Sequence, residues 1–217
     1  MGNNVLEFTI KRGFLDNASR KLILNPDYIS FENSDLVSNP FTTFETNEIA
    51  EFRFGMKWIS LDVTFGREYF IYIRNNEKKV IKINFKTYFG RKKTEYQNLY
   101  REIIINLEKL YFGNIVEEYL KKYQRNESFQ IGEVYFSKDS IKIKVSQILT
   151  NDEKIITWKD IRIKEYQTYF TIYSSEDPKN INCGFSYLED WNTLVLCSFL
   201  KSIIKYNQIE GNEKNNC

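Results

Sequence analysis

Apolar and polar residues alternate in short runs along most of this chain, and a turn signal closes nearly every run. Glu7 to Arg12, Lys21 to Leu24 and Tyr28 to Glu32 follow the two-residue period of a half-buried strand. Asn25-Pro26-Asp27 joins the second run to the third and predicts a hairpin, because these residue types pre-set a tight turn. Phe41 to Phe54 keeps strand-like spacing, with Glu45, Glu48 and Glu51 between its apolar positions. Trp58 to Phe65, Tyr69 to Arg74 and Val80 to Phe85 come next, separated by Gly66-Arg67 and by Asn75-Asn76-Glu77-Lys78. Connections this short admit only antiparallel neighbours, so the pattern predicts a meander.

The period then changes. From Thr94 to Lys122 the apolar positions Tyr96, Leu99, Tyr100, Ile103, Ile104, Leu107, Leu110, Tyr111, Ile115, Val116, Tyr119 and Leu120 recur at steps of three and four, which is one face of a helix. Thr94 and Gln97 stand at capping-box spacing, and Gly113 marks where one long helix would become two joined end to end.

After the polar stretch Gln124 to Ser128 the strand pattern restarts. Leu24-Asn-Pro-Asp27-Tyr-Ile29-Ser-Phe31 lines up with Phe136-Ser-Lys-Asp139-Ser-Ile141-Lys-Ile143 at a shift of 112, and Glu48-Ile49 meets Asp160-Ile161 at the same shift. Tyr69 to Tyr72 meets Tyr169 to Ile172 at a shift of 100, which leaves 12 extra residues in the first copy, between Gly55 and Glu68. Asp190 to Tyr206 is a second helical stretch and stands where Thr94 to Tyr111 stood. An internal duplication accounts for this order and spacing, and it predicts domains at 1–122 and 123–217. Each is a mainly β, α+β unit in which a helix with a broad apolar stripe plugs the unsealed end of an antiparallel sheet.

In the second copy, Val134-Tyr-Phe-Ser-Lys-Asp-Ser-Ile141, Ile156-Thr-Trp-Lys-Asp-Ile161 and Tyr169-Phe-Thr-Ile-Tyr173 follow one another as strands. This succession resembles that of bacterial pleckstrin-homology-like (PH-like) domains. The resemblance covers nearly the whole chain, once per copy. It implies two antiparallel β-barrel or sandwich domains in tandem, each made of near-orthogonal sheets and capped by a C-terminal helix. No ligand residues carry over, because the loops Asn25-Pro26-Asp27 and Ser137-Lys138-Asp139 lack the basic phosphoinositide signature of that family's first hairpin.

Composition narrows the chemistry. The chain of 217 residues is 42% hydrophobic and 28% charged, the profile of a folded domain rather than a disordered one. Its longest apolar run, Leu194 to Leu200, is broken by Ser198 and is far short of a membrane span, and the first residues lack the apolar core of a signal peptide, so a cytoplasmic protein is expected. There is no histidine, which excludes Ser-His-Asp and Cys-His nucleophile systems and His-ligated zinc. Cys183, Cys197 and Cys217 have no metal-ligand spacing, and no glycine-rich phosphate loop occurs, so neither metal nor cofactor is expected. Asp152-Glu153, Glu176-Asp177 and Glu189-Asp190 are the local carboxylate pairs, read as turn and helix-start residues before acid–base groups. Trp58, Trp158 and Trp191 read as core side chains.

Charge provides the sharpest local feature. Lys78, Lys79, Lys82, Lys86, Arg91, Lys92 and Lys93 fall between Lys78 and Thr94 with no acid among them. Lys86, Arg91, Lys92 and Lys93 are the candidate anion-binding residues, since Gly90-Arg91-Lys92-Lys93 precedes a helix start; the plainer reading is a solvated strand edge. The last helix, with Trp191, Leu194, Val195, Leu196, Cys197, Phe199, Leu200, Ile203 and Ile204, is apolar nearly all round and needs cover on two sides, from the long helix or from another protein. The expected function is therefore that of a non-enzymatic binding or adaptor protein with a protein partner. A peripheral binder of anionic membrane or of a phosphorylated ligand stands second and a carboxylate-dependent enzyme third, and a toxin-neutralising role is compatible with the same features. A net charge of +2 and the lack of any nucleic-acid motif argue against a nucleic-acid partner.

Overall fold

The computed structural model describes residues 5–11, 18–32, 40–61, 64–146 and 151–214. They divide into two compact units, Met1–Asn114 and Ile115–Cys217, so the division falls inside the long helical stretch.

The first unit opens with β1 (Leu6–Lys11), β2 (Ser19–Leu24), β3 (Tyr28–Glu32) and β4 (Phe41–Glu45), which pair antiparallel in chain order. A single 3-10 turn, Thr46–Glu48, leads into a second antiparallel sheet of β5 (Ile49–Leu61), β6 (Thr64–Asn75) and β7 (Val80–Tyr88). Helix α1 (Lys93–Leu107) follows, then a π-helical turn (Glu108–Phe112) and α2 (Gly113–Gln124). The second unit repeats the scheme. Strands β8 (Phe129–Ile131), β9 (Val134–Phe136), β10 (Ser140–Ser146) and β11 (Asn151–Thr157) form one sheet, and a 3-10 turn (Trp158–Asp160) leads to β12 (Ile161–Glu165), β13 (Tyr169–Ser174) and β14 (Asn182–Ser186). Helix α3 (Thr193–Lys214) ends the described chain. Among the described residues the fold is mainly β and antiparallel; its strands form four sheets, and none closes into a barrel.

Corresponding turns carry corresponding hydrogen bonds. The Asn25 N–H donates to the Tyr28 carbonyl at 3.0 Å and the Ser137 N–H to the Ser140 carbonyl at 2.9 Å, both at the hairpin that the sequence shift of 112 superposes. Ile29 pairs with Phe44, and at the same shift Ile141 pairs with Ile156. The second shift needs correction. Ile49 pairs with Asn75 and Ile161 with Ser174, which makes that shift 99 rather than 100 and the difference 13 rather than 12. A slip of one residue turns every side chain of a strand to the other face, and matching Tyr69 to Tyr169 sets a buried side chain against an exposed one. The extra residues lengthen the β5–β6 hairpin: β5 has 13 residues where β12 has 5, and β6 has 12 where β13 has 6.

Two local expectations fail. Gly66-Arg67 is not a turn but lies within β6, opposite Tyr88 and Thr87, because the hairpin runs on to Leu61 and Thr64. Thr94 and Gln97 form no capping box either: the helix starts one residue earlier, with Lys92 as its N-cap in the left-handed region at φ 56° and no side-chain cap.

Each unit has its own core. In the first, alternate residues Tyr69, Ile71 and Ile73 of β6 and Ile81, Ile83 and Phe85 of β7 are buried, and Tyr96, Ile103 and Leu107 on one stripe of α1 are buried too. Phe85 meets Tyr96, and Tyr69 meets Tyr100, at ring separations of 5.6 and 5.2 Å, so α1 covers this face. The π turn buries Tyr111 and Phe112 in succession; the Tyr111 hydroxyl accepts from the Asn25 N–H at 3.2 Å and donates to the Asn25 carbonyl at 2.8 Å. In the second unit Phe136, Ile141, Phe170, Ile172, Phe199 and Leu200 centre the core, and Ile115, Val116, Tyr119, Leu120 and Tyr123 of α2 pack against it. The apolar helix α3 thus receives its second cover from α2, with Tyr123 edge-on to Phe199 at 6.1 Å.

Candidate functional site: the uncovered end of the β5–β6–β7 sheet

The core face of β5, β6 and β7 is longer than the helix that covers it. Register places Trp58 opposite Arg67, and Arg67 opposite Thr87, on the same face as Tyr69 and Phe85 but one step beyond them. Phe65 lies a further step along β6, and the Phe89 N–H donates to its carbonyl at 2.9 Å. Helix α1 begins only at Lys93, and Tyr96 in its first turn already reaches Phe85. Past that point Thr87 is still buried, but the large side chains around it lose their cover among the described residues. Trp58 is 68% exposed, Phe65 58% and Phe89 54%, and the two phenylalanine rings meet edge to face at 5.6 Å. Trp58 is therefore not the core residue that its strand position suggested.

The backbone here is tightly specified. A Cβ on Gly66 would stand 2.0 Å from the Thr87 carbonyl oxygen, so the close approach of β7 to β6 at this end requires glycine. Phe89 (φ 53°), Gly90 (φ 68°) and Lys92 (φ 56°) all occupy the left-handed region within four residues. A bulky residue such as Phe89 adopts that conformation only when its surroundings enforce it, and here the bond to the Phe65 carbonyl and the Arg91 N–H bond to the Tyr88 carbonyl at 3.0 Å do so.

One cation touches the aromatic group, and three follow it in the chain. The Arg67 guanidinium stands over the Trp58 ring at 4.4 Å, and its Nη1 donates to Gln97 at a long 3.5 Å. Arg91, Lys92 and Lys93 are exposed in the turn that ends β7, where Lys92 pairs loosely with Glu95 at 3.6 Å. Lys86 does not join them. It sits between Phe85 and Thr87, whose side chains face the core, so its own projects from the opposite face, where it pairs with Glu68 at 3.0 Å. Lys57, opposite Glu68, shares that outer face and lies 5.7 Å from the Phe70 ring. Of the four candidate residues the structure brings Arg91, Lys92 and Lys93 to one turn and leaves Lys86 on the other side of the sheet. Among the described residues on the side of the rings, Arg67, Arg91, Lys92 and Lys93 outnumber the acid Glu95, so this end of the sheet is net positive.

No family model matches the chain, and no curated protein matches it.

Of the candidate carboxylates, Asp152, Glu153, Asp177 and Asp190 have structural partners. Asp152 and Glu153 lie on β11 and pair with Lys154 at 3.5 Å and Lys142 at 2.9 Å. Asp177 accepts from the Asn180 side chain at 3.0 Å, and Asp190 accepts from the Ser186 N–H at 2.7 Å. Cys183 and Cys197 are free thiols; burial, assisted by the charge of Glu165, pushes Cys197 up to about 11, so it stays protonated and is a poor nucleophile. Cys217 lies outside the described residues.

Sequence reading missed Trp58, Phe65, Phe89 and Arg67 as site residues because an apolar residue in an alternating strand is assigned to the core. The signal that finds them is the mismatch between the two copies: the extra residues extend a sheet past its helix.

Proposed function

We propose that this protein is a non-enzymatic adaptor of two PH-like units, and that its first unit attaches to an anionic membrane surface through the uncovered end of β5–β6–β7. The succession of a four-stranded sheet, a three-stranded sheet and a helix in each unit supports the PH-like reading. One observation carries the attachment: three exposed aromatic side chains lie beside Arg67, Arg91, Lys92 and Lys93 at one end of one sheet. Aromatic rings favour the membrane–water boundary, and each nearby Lys or Arg contributes about 1 kcal/mol of attraction to anionic lipid. The adaptor role gives the protein partner to the remaining surfaces of the molecule.

Co-sedimentation with vesicles tests this reading. Binding to phosphatidylserine-containing vesicles that weakens with salt, and with charge reversal of Arg91, Lys92 and Lys93, is the expected result. Equal behaviour on neutral vesicles, or no binding, refutes it.

A further inference from the structure

We infer that the lengthened β5–β6 hairpin is an insertion device: Trp58, Phe65 and Phe89 enter the membrane interface as a group, while Arg67 and the Arg91–Lys93 turn take the lipid phosphates outside it. This rests on the attachment proposed above and states how it is made. The second unit provides the internal control. Its corresponding strands β12 and β13 have 5 and 6 residues and lack the extension, although their sheet and helix are otherwise ordered alike.

Charge complementarity selects the occupant. A second copy of this end would bring like charges together, since Arg67, Arg91, Lys92 and Lys93 outnumber Glu95 among the described residues there. A protein hot spot is a pocket or a ring of well-packed side chains, whereas here the exposed rings stand on the uncovered end of a sheet with cations flanking them. That arrangement suits a fluid anionic surface, into which rings can sink while the charges stay at headgroup level. Arg67 is placed for both states. It covers one face of the Trp58 ring at 4.4 Å in water, and its long bond to Gln97 at 3.5 Å is readily exchanged for a phosphate oxygen. The docking surface is the open end of a sheet, so the lipid class is any anionic phospholipid, and recognition follows surface charge rather than headgroup stereochemistry.

Tryptophan fluorescence of the full chain tests this with phosphatidylcholine–phosphatidylserine vesicles, about 3:1, with and without brominated acyl chains. The chain's tryptophans are Trp58, Trp158 and Trp191. A blue shift and bromine quenching are expected in the wild type and in Trp158→Phe and Trp191→Phe, and their loss in Trp58→Phe. Trp58→Ala should weaken vesicle affinity about tenfold, the size set by burying one large apolar side chain. Because Trp58 is exposed, circular dichroism of the variant should match the wild type. Vesicle binding without quenching of Trp58 overturns insertion and leaves the attachment standing. Binding that requires a phosphoinositide at equal vesicle charge also overturns it, in favour of a headgroup pocket. Absence of any vesicle binding overturns both and returns the surface to a protein partner.

Discussion

The Arg67 guanidinium stands over the ring of Trp58 at 4.4 Å, directly across the β5–β6 ladder, and so shields one face of an indole that is otherwise the most exposed large apolar side chain described in the molecule. At an exposed site such a contact contributes about 0.5–1 kcal/mol. Arg67→Ala should therefore leave thermal stability within about 1 kcal/mol of the wild type. The same variant should lose vesicle affinity severalfold, since the cation that would reach the phosphates is gone. Co-sedimentation beside thermal unfolding separates the two effects. A large loss of stability would give Arg67 a structural role instead.

Gly66 makes a sharper test of the geometry. A Cβ there meets a backbone carbonyl at 2.0 Å, and backbone cannot swing aside as a side chain can. Gly66→Ala should open the far end of the β6–β7 ladder, with loss of hydrogen-exchange protection at Tyr88 and Phe89 and at least as great a loss of vesicle binding as Trp58→Ala. Unchanged protection at those amides would show that the strands tolerate the methyl group.

Tyr111 joins the π turn to the β2–β3 hairpin through hydroxyl bonds to both the N–H and the carbonyl of Asn25. Removing the hydroxyl takes one partner from each of two groups that keep their backbone bonds to Tyr28, which costs about 0.5–1.5 kcal/mol. Tyr111→Phe should lower the urea midpoint accordingly, with no change in vesicle binding, because Asn25 belongs to the β1–β4 sheet and the site to the β5–β6–β7 sheet. A neutral substitution would mean that the bonds between Asn25 and Tyr28 suffice for the turn.

Glu51 makes part of the stability depend on pH. Burial raises its pKa, but hydrogen bonds and charge from Arg74 and Lys78 outweigh burial and hold it below the ordinary 4.5. A carboxylate depressed in the folded state stabilises fully above the unfolded value, and that contribution disappears as pH falls through the folded one. Thermal unfolding should therefore show Glu51→Gln less stable than the wild type at neutral pH, with the gap closing as pH drops below about 4.5. A gap that stays constant down to low pH would assign the effect to packing.

Much of the fold was legible because the hairpins obey local rules. Asn25-Pro26-Asp27 and Asn75 to Lys78 turn where turn residues predict it, and the repeat at a shift of 112 marks equivalent hydrogen bonds. The helix period from Thr94 onward was equally clear, and Gly113 does begin α2. What local patterns could not show is where a strand outruns its cover. Gly66-Arg67 reads as a turn in isolation, and only the pairing with Tyr88 and Thr87 reveals that the strand continues. Trp58 reads as core for the same reason: alternation tells which face a residue occupies, but not whether a helix lies over it. The basic segment was visible as composition, yet its division between two faces of β7 and the turn after it depends on strand pairing.

Hydrogen–deuterium exchange on phosphatidylserine-containing vesicles tests the docking surface most directly. Amides in the exposed end of β5–β6, about residues 56–67, and in the Lys86–Lys93 segment should gain protection on vesicles, while the shorter β12–β13 hairpin of the second unit should be unchanged. Protection confined to the second unit, or none at the end of β5–β6, would contradict the account.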